Sequence, residues 1–143
     1  MSNEITRNKA QEIAVFAVYD VLTYANMEVA VDLEGIISGL CDAPYEECDL
    51  FVKKVVIAVV RHLNEMIPAI QERMRRWKFS RLNRVEQAIL LVAYAHYFYL
   101  DEGTDRKVII DVAVRLSKQY LDEKDYRFVN GILDNLLVRE HGA

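Results

Sequence analysis

Histidine, cysteine and carboxylate side chains are the residues whose spacing in this sequence could support catalysis or metal binding. His62 and Glu65 stand three positions apart, so on a helix they would share one face and reach a common metal ion. No second histidine motif supports such a site; the remaining histidines are His96 and His141. Cys41 and Cys48 have no base nearby in sequence that would activate a thiol. Because a glycine-rich phosphate loop and a nucleophile elbow are also missing, we expect no enzymatic activity, no metal and no cofactor.

Basic and aromatic side chains form a second set with chemical potential, between residues 73 and 84. Its members are Arg73, Arg75, Arg76, Trp77, Lys78, Phe79, Arg81 and Arg84. Such a cluster can bind phosphates or a partner protein. The alternative is a solvated helix end in which Trp77 fills the core and the arginines surround it.

Charge is segregated along the chain. The formal net charge is -4 and the pI is near 5.4, which argues against bulk, non-specific binding of nucleic acid. No Lys or Arg occurs between Lys9 and Lys53, an interval rich in Asp and Glu. One surface can therefore attract a polyanion while another repels it.

The segment 127–137 predicts an amphipathic helix that contains a glycine. Its apolar residues recur at i, i+3 and i+4: Phe128, Val129, Ile132, Leu133, Leu136 and Leu137. Arg127, Asn130, Gly131 and Asp134 fall on the opposite, polar side. Glycine inside a helix costs roughly 1 kcal/mol relative to alanine, so its presence indicates a close approach to the backbone. Either a binding partner or a tightly crossing helix of the same chain could make that approach.

Hydrophobic periodicity predicts an all-α fold, a compact single domain that spans residues 1–143 and has about seven helices. The chain is 52% hydrophobic with only 5 Gly and 2 Pro, which suits a compact helical protein. The expected helices are 7–25, 31–40, 51–63, a fourth that follows a break at Pro68 and ends near residue 77, then 84–100, 106–120 and 123–137. Candidate N-caps are Thr6, Asp42, Asn83, Asp105 and Asp122.

The same composition places the protein in the cytoplasm. The uncharged segment 88–100 is far shorter than the roughly 20 residues that a membrane span requires, so we expect no membrane association. No signal-peptide pattern begins the chain, and the 2 cysteines form neither a disulfide framework nor a zinc spacing.

Three segments in their order and separation resemble the NusB family of transcription antitermination factors. They are 84–90 (RVEQAIL), 108–118 (VIIDVAVRLSK) and 127–134 (RFVNGILD). The resemblance implies an all-helical protein that pairs with ribosomal protein NusE and binds the boxA element of nascent ribosomal RNA. It thereby implies a place in the antitermination complex of RNA polymerase.

The resemblance also implies site residues at matching positions. The family carries an arginine-rich arm that contacts RNA, which corresponds here to Arg7 and Lys9, and a tyrosine near the RNA surface, which corresponds to Tyr19. We expect Arg127 to meet phosphate, Phe128 or Tyr19 to stack on unpaired bases, and Asn130 to bind a base edge. Each of the two aromatic residues can instead belong to the core.

Other residues in or near the predicted helix 84–100 are expected to contact the protein partner or to shape the core. Glu86, able to complete a capping box with Asn83, is the expected contact to the protein partner. Trp77, followed by Arg81-Leu82, matches a family tryptophan and is expected to be architectural. Leu91 and His96 replace a family arginine and a family acidic residue, which predicts altered core chemistry.

Two alternatives remain at the level of sequence. The family's arginine-rich arm is reduced here to Arg7 and Lys9. This reduction and the net charge of -4 fit a protein-only adaptor or a homodimer of the same fold that has lost RNA binding. The chain also fits the NusB-like domain attached to some ribosomal RNA cytosine methyltransferases, although it lacks a cofactor-binding domain and could not methylate alone.

Overall fold

The structure is a computed structural model that describes residues 5–100 and 102–138. In these residues the backbone forms six α-helices: α1 (Arg7–Asn26), α2 (Leu33–Cys41), α3 (Leu50–Glu72), α4 (Arg84–Phe98), α5 (Arg106–Tyr120) and α6 (Glu123–Leu136). Short 3-10 turns occupy Tyr45–Glu47 and Phe79–Arg81. The all-α fold is confirmed, and the prediction of about seven helices is one too many.

The helix α4 lies at the centre of the bundle and packs against α1, α3, α5 and α6. Its residues 88–93, 95 and 96 are all buried. A helix that is apolar nearly all round can satisfy its side chains only in such a position. Most of the uncharged segment 88–100 therefore lies in the central helix of the bundle.

The surplus predicted helix comes from Pro68, which does not break the chain. α3 continues through Pro68 to Glu72. Pro68 and Asn64 are exposed, so water can hydrate the carbonyl that loses its ladder hydrogen bond. Met66 and Ile70, on either side of the proline, are fully buried. Their burial stabilises one continuous helix where propensity alone predicts a break.

Capping side chains fix where the helices begin. Thr6, Asn83, Asp105 and Asp122 each accept a hydrogen bond from a backbone N–H of the first turn, as predicted. The prediction for Asp42 is wrong, because Asp49 caps α3. Asp42 instead ends α2 with a left-handed backbone at φ 54°, a conformation that aspartate tolerates better than most residues.

The C-terminal helix α6 is held in place by α5. Arg106, at the start of α5, donates from Nε to the carbonyl of Leu137 at 2.9 Å and from Nη2 to the carbonyl of Asp134 at 2.8 Å. These forked bonds satisfy carbonyls that a helix end leaves without partners. Val129, Leu133 and Leu136 meanwhile face the core. The polar side of α6 is consequently held outward in one orientation.

His96 is a polar side chain inside the core. Its ring packs edge-on against Phe51 at 4.9 Å, and its Nε2 lies 3.4 Å from Oε1 of Glu102. Burial lowers the pKa of His96; the nearby Glu102 carboxylate opposes this shift and the charge of Arg7 adds to it. Leu91 is also fully buried. The core therefore holds a neutral imidazole and an aliphatic side chain at the two positions where the sequence predicts altered chemistry.

We expect His96→Gln to remove a pH-dependent component of stability. Because the pKa of His96 is below its ordinary value of 6.5 in the folded chain, the unfolded chain takes up the proton first, and the free energy of unfolding falls as the pH drops below 6.5. Urea unfolding between about pH 7 and about pH 5 measures the free energy of unfolding of both proteins, and the decrease should be smaller in the variant. Glu86, Asp20 and Asp125 have raised pKa values, but they are present in both proteins and cancel in the comparison. Parallel pH profiles would contradict the assignment.

Candidate nucleic-acid interface

The start of α1 presents two cations, Arg7 and Lys9. The Arg7 guanidinium lies 2.8 Å from Oε1 of Glu102 and 4.2 Å above the centroid of the Phe51 ring. Lys9 Nζ lies 3.2 Å from Oε1 of Glu12. The two side chains remain 50% and 57% exposed, so each keeps an open side toward solvent.

The carboxylates beside these cations have further partners. Burial raises the pKa of Glu102, but the hydrogen bond and charge of Arg7, together with His96, bring it below its ordinary value. Glu12 accepts a hydrogen bond from the Tyr120 hydroxyl, whose pKa is raised by burial and then by Glu12. Each carboxylate is therefore held in place by more than its cation.

Tyr19 lies farther along α1, beside the start of α4. Its ring is half-buried against the core, and the Arg84 guanidinium lies 5.8 Å from its centroid. Arg84 also donates from Nη1 to Oγ1 of Thr23 at 3.1 Å. Tyr19 is thus a partly buried aromatic residue that packs against the core, and its contact with RNA stays a prediction.

A groove lies between the loop that precedes α4 and the first turns of α6; we call it the Trp77–Phe128 groove. It encloses about 900 Å³. Its lining residues are Arg76, Trp77, Lys78, Arg81, Leu82, Glu86, Lys124, Asp125, Arg127 and Phe128. Five of these are cations and two are carboxylates, so the groove is locally positive in a chain with a net charge of -4.

Trp77 is a wall of this groove, and the interpretation that it fills the core is wrong. Its side chain is 50% exposed and meets the Phe128 ring edge-on at 5.3 Å. Phe79 and Met74 occupy the core instead. The phosphate- or partner-binding interpretation of the basic and aromatic cluster is the one that this exposure favours.

Gln71, which the sequence did not single out, shapes the loop that carries Trp77. Its Nε2 donates to the carbonyl of Trp77 at 2.7 Å, and its Oε1 accepts from the Phe79 N–H at 2.7 Å. These bonds fix the backbone on both sides of Lys78, with Phe79 turned inward and Trp77 outward. A glutamine at the end of a helix has no periodic signal that would reveal this role.

Glu86 lies at the floor of the groove. Its residue is 4% exposed, and its carboxylate accepts a hydrogen bond from the Asn83 N–H while the Glu86 N–H donates to Asn83 at 2.8 Å. This is the capping box predicted from sequence. Burial raises the pKa of Glu86, and the charge of Asp125 raises it further. A buried carboxylate beneath a cationic rim is suited to receive a cation or hydrogen-bond donor from outside.

Arg127, Asn130 and Gly131 lie on the exposed side of α6, as predicted. Arg127 is 71% exposed and pairs with Glu123 at 2.7 Å. A Cβ added at Gly131 would meet no atom within 4 Å outside its own helix. Among the described residues, the alternative of a tightly crossing helix of the same chain is therefore wrong, and the surface at Gly131 is open to them.

The predicted RNA-binding residues fall into separate clusters. Arg127 and Phe128 line the same groove as Glu86, which was predicted for the protein partner. Tyr19 contacts Arg84 at the start of α4, whereas Arg7 contacts Glu102 just beyond the end of α4. α1 therefore runs antiparallel along α4 and places its basic start and its tyrosine at opposite ends of the central helix.

The residues considered for catalysis or metal binding have other contacts in the described part of the chain. His62 stacks on Tyr99 at 4.2 Å and lies 3.5 Å from Glu65. Burial and a hydrogen bond to Cys48 raise the pKa of the Cys41 thiol to about 11, which disfavours the reactive thiolate. His141 lies outside the described residues. Across residues 5–100 and 102–138, no three His, Cys, Asp or Glu side chains are grouped to hold a metal ion.

In that same part of the chain, no helix is both long and apolar enough to cross a bilayer.

Comparison with known proteins gives the same family by sequence and by structure. The model of the NusB family matches residues 8–138. Transcription antitermination protein NusB of Bacillus mycoides (strain KBAB4) is 30% identical over 130 residues, which cover 91% of this chain and 95% of that protein. A NusB structure from T. maritima superposes with a TM-score of 0.78 at 23% identity over 96% of this chain and 92% of that one.

A crystal structure of antitermination factors NusB and NusE in complex with dsRNA contains a chain of the same fold. Its TM-score is 0.75 at 25% identity, over 92% of this chain and 95% of that one. The match of the family model across most of the sequence agrees with these superpositions. The chain belongs to the NusB family.

Proposed function

We propose that the protein is an RNA-binding transcription antitermination factor that acts with ribosomal protein NusE on boxA of nascent ribosomal RNA. One observation carries the proposal: Arg127 and Phe128, two of the residues expected to bind RNA, line a single groove with Glu86, the residue expected to bind the protein partner. A related chain is known in complex with NusE and dsRNA. The factor works without catalysis, in the cytoplasm, as a single domain of residues 1–143 within the antitermination complex of RNA polymerase.

The groove suits single-stranded RNA. Trp77 and Phe128 offer aromatic surface on which unpaired bases can stack, and the surrounding cations can meet the backbone. Arg127 is proposed to bind phosphate and Asn130 to bind a base edge. Arg7, Lys9 and Tyr19 are proposed to extend the contact along α1.

Glu86 is proposed to bind the protein partner from the floor of the same groove. Its carboxylate is buried, so a cationic or N–H donor of the partner would meet it away from competing water. RNA and NusE would then share one boundary, and each would complete the binding surface of the other.

A protein-only adaptor or homodimer is the second candidate. It is favoured by the pairing of Arg7 and Lys9 with carboxylates and by the net charge of -4. Titration of a boxA RNA at physiological salt, with and without NusE, separates the two candidates. Binding to NusE with no binding to RNA in either mixture would select the adaptor.

We expect Arg7→Ala with Lys9→Ala to weaken binding of boxA RNA and to flatten its salt dependence. Each lost phosphate contact on a single strand lowers the slope of log K against log salt by about 0.7, so the double variant should lose about 1.4. Fluorescence titration over a salt series measures both quantities. Lys54→Ala with Arg61→Ala removes the same charges from α3 and should change the slope less. Equal slopes for the wild type and the α1 variant would refute the role of this helix start.

We expect Trp77→Ala to weaken RNA binding by about 1–3 kcal/mol, because a stacked base contributes about that much. Trp77 is half exposed, so the variant should stay folded. Tyr24→Ala serves as the control, because it removes an exposed aromatic ring near the C-terminal end of α1 that does not line the groove. If both variants bind RNA with the affinity of the wild type, the groove is not the stacking surface.

We expect Gly131→Ala to stabilise the protein and to weaken binding of NusE or RNA. Alanine in a helix is favoured over glycine by roughly 1 kcal/mol, and the added Cβ meets no atom in the free protein. Asn135→Ala, also exposed on α6, raises helix propensity while leaving the glycine surface unchanged. Thermal unfolding measures the stability of both variants, and calorimetric titration measures their affinity for NusE and for RNA. Full binding by Gly131→Ala would show that nothing approaches this glycine closely.

A further inference from the structure

Three of the cations proposed to meet phosphate are already paired with a carboxylate. Arg7 pairs with Glu102 at 2.8 Å, Lys9 with Glu12 at 3.2 Å and Arg127 with Glu123 at 2.7 Å. We propose that these three glutamates limit the binding of non-cognate RNA, because they compete with RNA phosphates for the cations. The inference rests on the proposed function and assigns this limit to named side chains.

The geometry allows competition. The cation side chains are 50%, 57% and 71% exposed, so a phosphate can approach each from its open side. Exposed ion pairs of this kind are weak, and a second anion can displace the first. A phosphate can therefore reach each cation, but it must compete with the carboxylate that already holds that cation.

Each carboxylate also has a favourable interaction other than the one with its cation. Glu102 retains His96 Nε2 at 3.4 Å, and Glu12 retains the Tyr120 hydroxyl. Glu123 stands in the first turn of α6, where the helix dipole favours a negative charge. Each glutamate consequently remains close to a bound phosphate and repels it.

This repulsion acts equally on cognate and non-cognate RNA, but its consequence for the two differs. Phosphate contacts are independent of sequence, so the glutamates weaken every RNA by a similar factor. A cognate RNA offsets that loss through stacking and base-edge contacts in the Trp77–Phe128 groove, whereas a non-cognate RNA has only its phosphates. The glutamates thereby lower non-cognate binding below a useful level while cognate binding persists.

The test uses Glu12→Gln, Glu102→Gln and Glu123→Gln, singly and together, in the full chain. The probes are a boxA RNA and a scrambled RNA of the same length and composition, each titrated from about 50 to about 200 mM KCl. Each single variant should bind the scrambled RNA about two- to five-fold more tightly, as expected when an exposed ion pair is removed. The triple variant should gain on the order of ten-fold and show a steeper salt slope, because more net positive charge meets the backbone.

A matched control separates this effect from a change in net charge. Glu65→Gln removes one negative charge from a side chain that contacts His62 and Tyr99. Glu65 is not paired with any cation that is proposed to bind phosphate. The variant should leave the affinity for both RNAs within two-fold of the wild type, and circular dichroism verifies the fold of every variant.

Three outcomes would overturn the inference. Unchanged affinity of the triple variant shows that the glutamates do not compete, and weaker binding by Glu102→Gln shows that this glutamate positions Arg7 for RNA. A gain by Glu65→Gln equal to that of the three paired glutamates shows a general charge effect. Failure of the wild type and the triple variant to bind either RNA, with NusE present and at the lowest salt, refutes the proposed function itself.

Discussion

Burial of α4 on every side is the constraint on which the rest of the structure depends. Its neighbours α1, α3, α5 and α6 each present an apolar face to it. These contacts fix the direction of α1, which carries Arg7 past one end of α4 and Tyr19 past the other. They also fix α6, whose polar side must then face solvent. The candidate interface is thus a consequence of how the central helix is covered.

Most of the fold could be predicted from the sequence because its signals are local. The i, i+3, i+4 pattern gives the helices, and short polar side chains such as Asn83 and Asp122 give their starts. The break predicted at Pro68 is wrong for a physical reason. Helix propensity describes a single residue, while the continuation of α3 is decided by the burial of Met66 and Ile70 on both sides of it.

The site was less predictable because it depends on contacts between distant segments. Arg127 and Phe128 were expected beside RNA, but their meeting with Trp77 across the groove is a tertiary event. The outward direction of Trp77 follows from two hydrogen bonds of Gln71, a residue with no periodicity of its own. Likewise the carboxylate beside Arg7 comes from a residue 95 positions away, which no local pattern can reveal.

The length of α4 has a further consequence for what the protein can hold. Its 15 residues rise by about 21 Å from the first to the last, and the basic start of α1 and the aromatic groove lie toward opposite ends of it. A polymer that touches both must extend over a comparable distance. The length of the central helix therefore sets the shortest RNA that can contact both surfaces at once. A shorter oligonucleotide can bind at one end or the other but not at both.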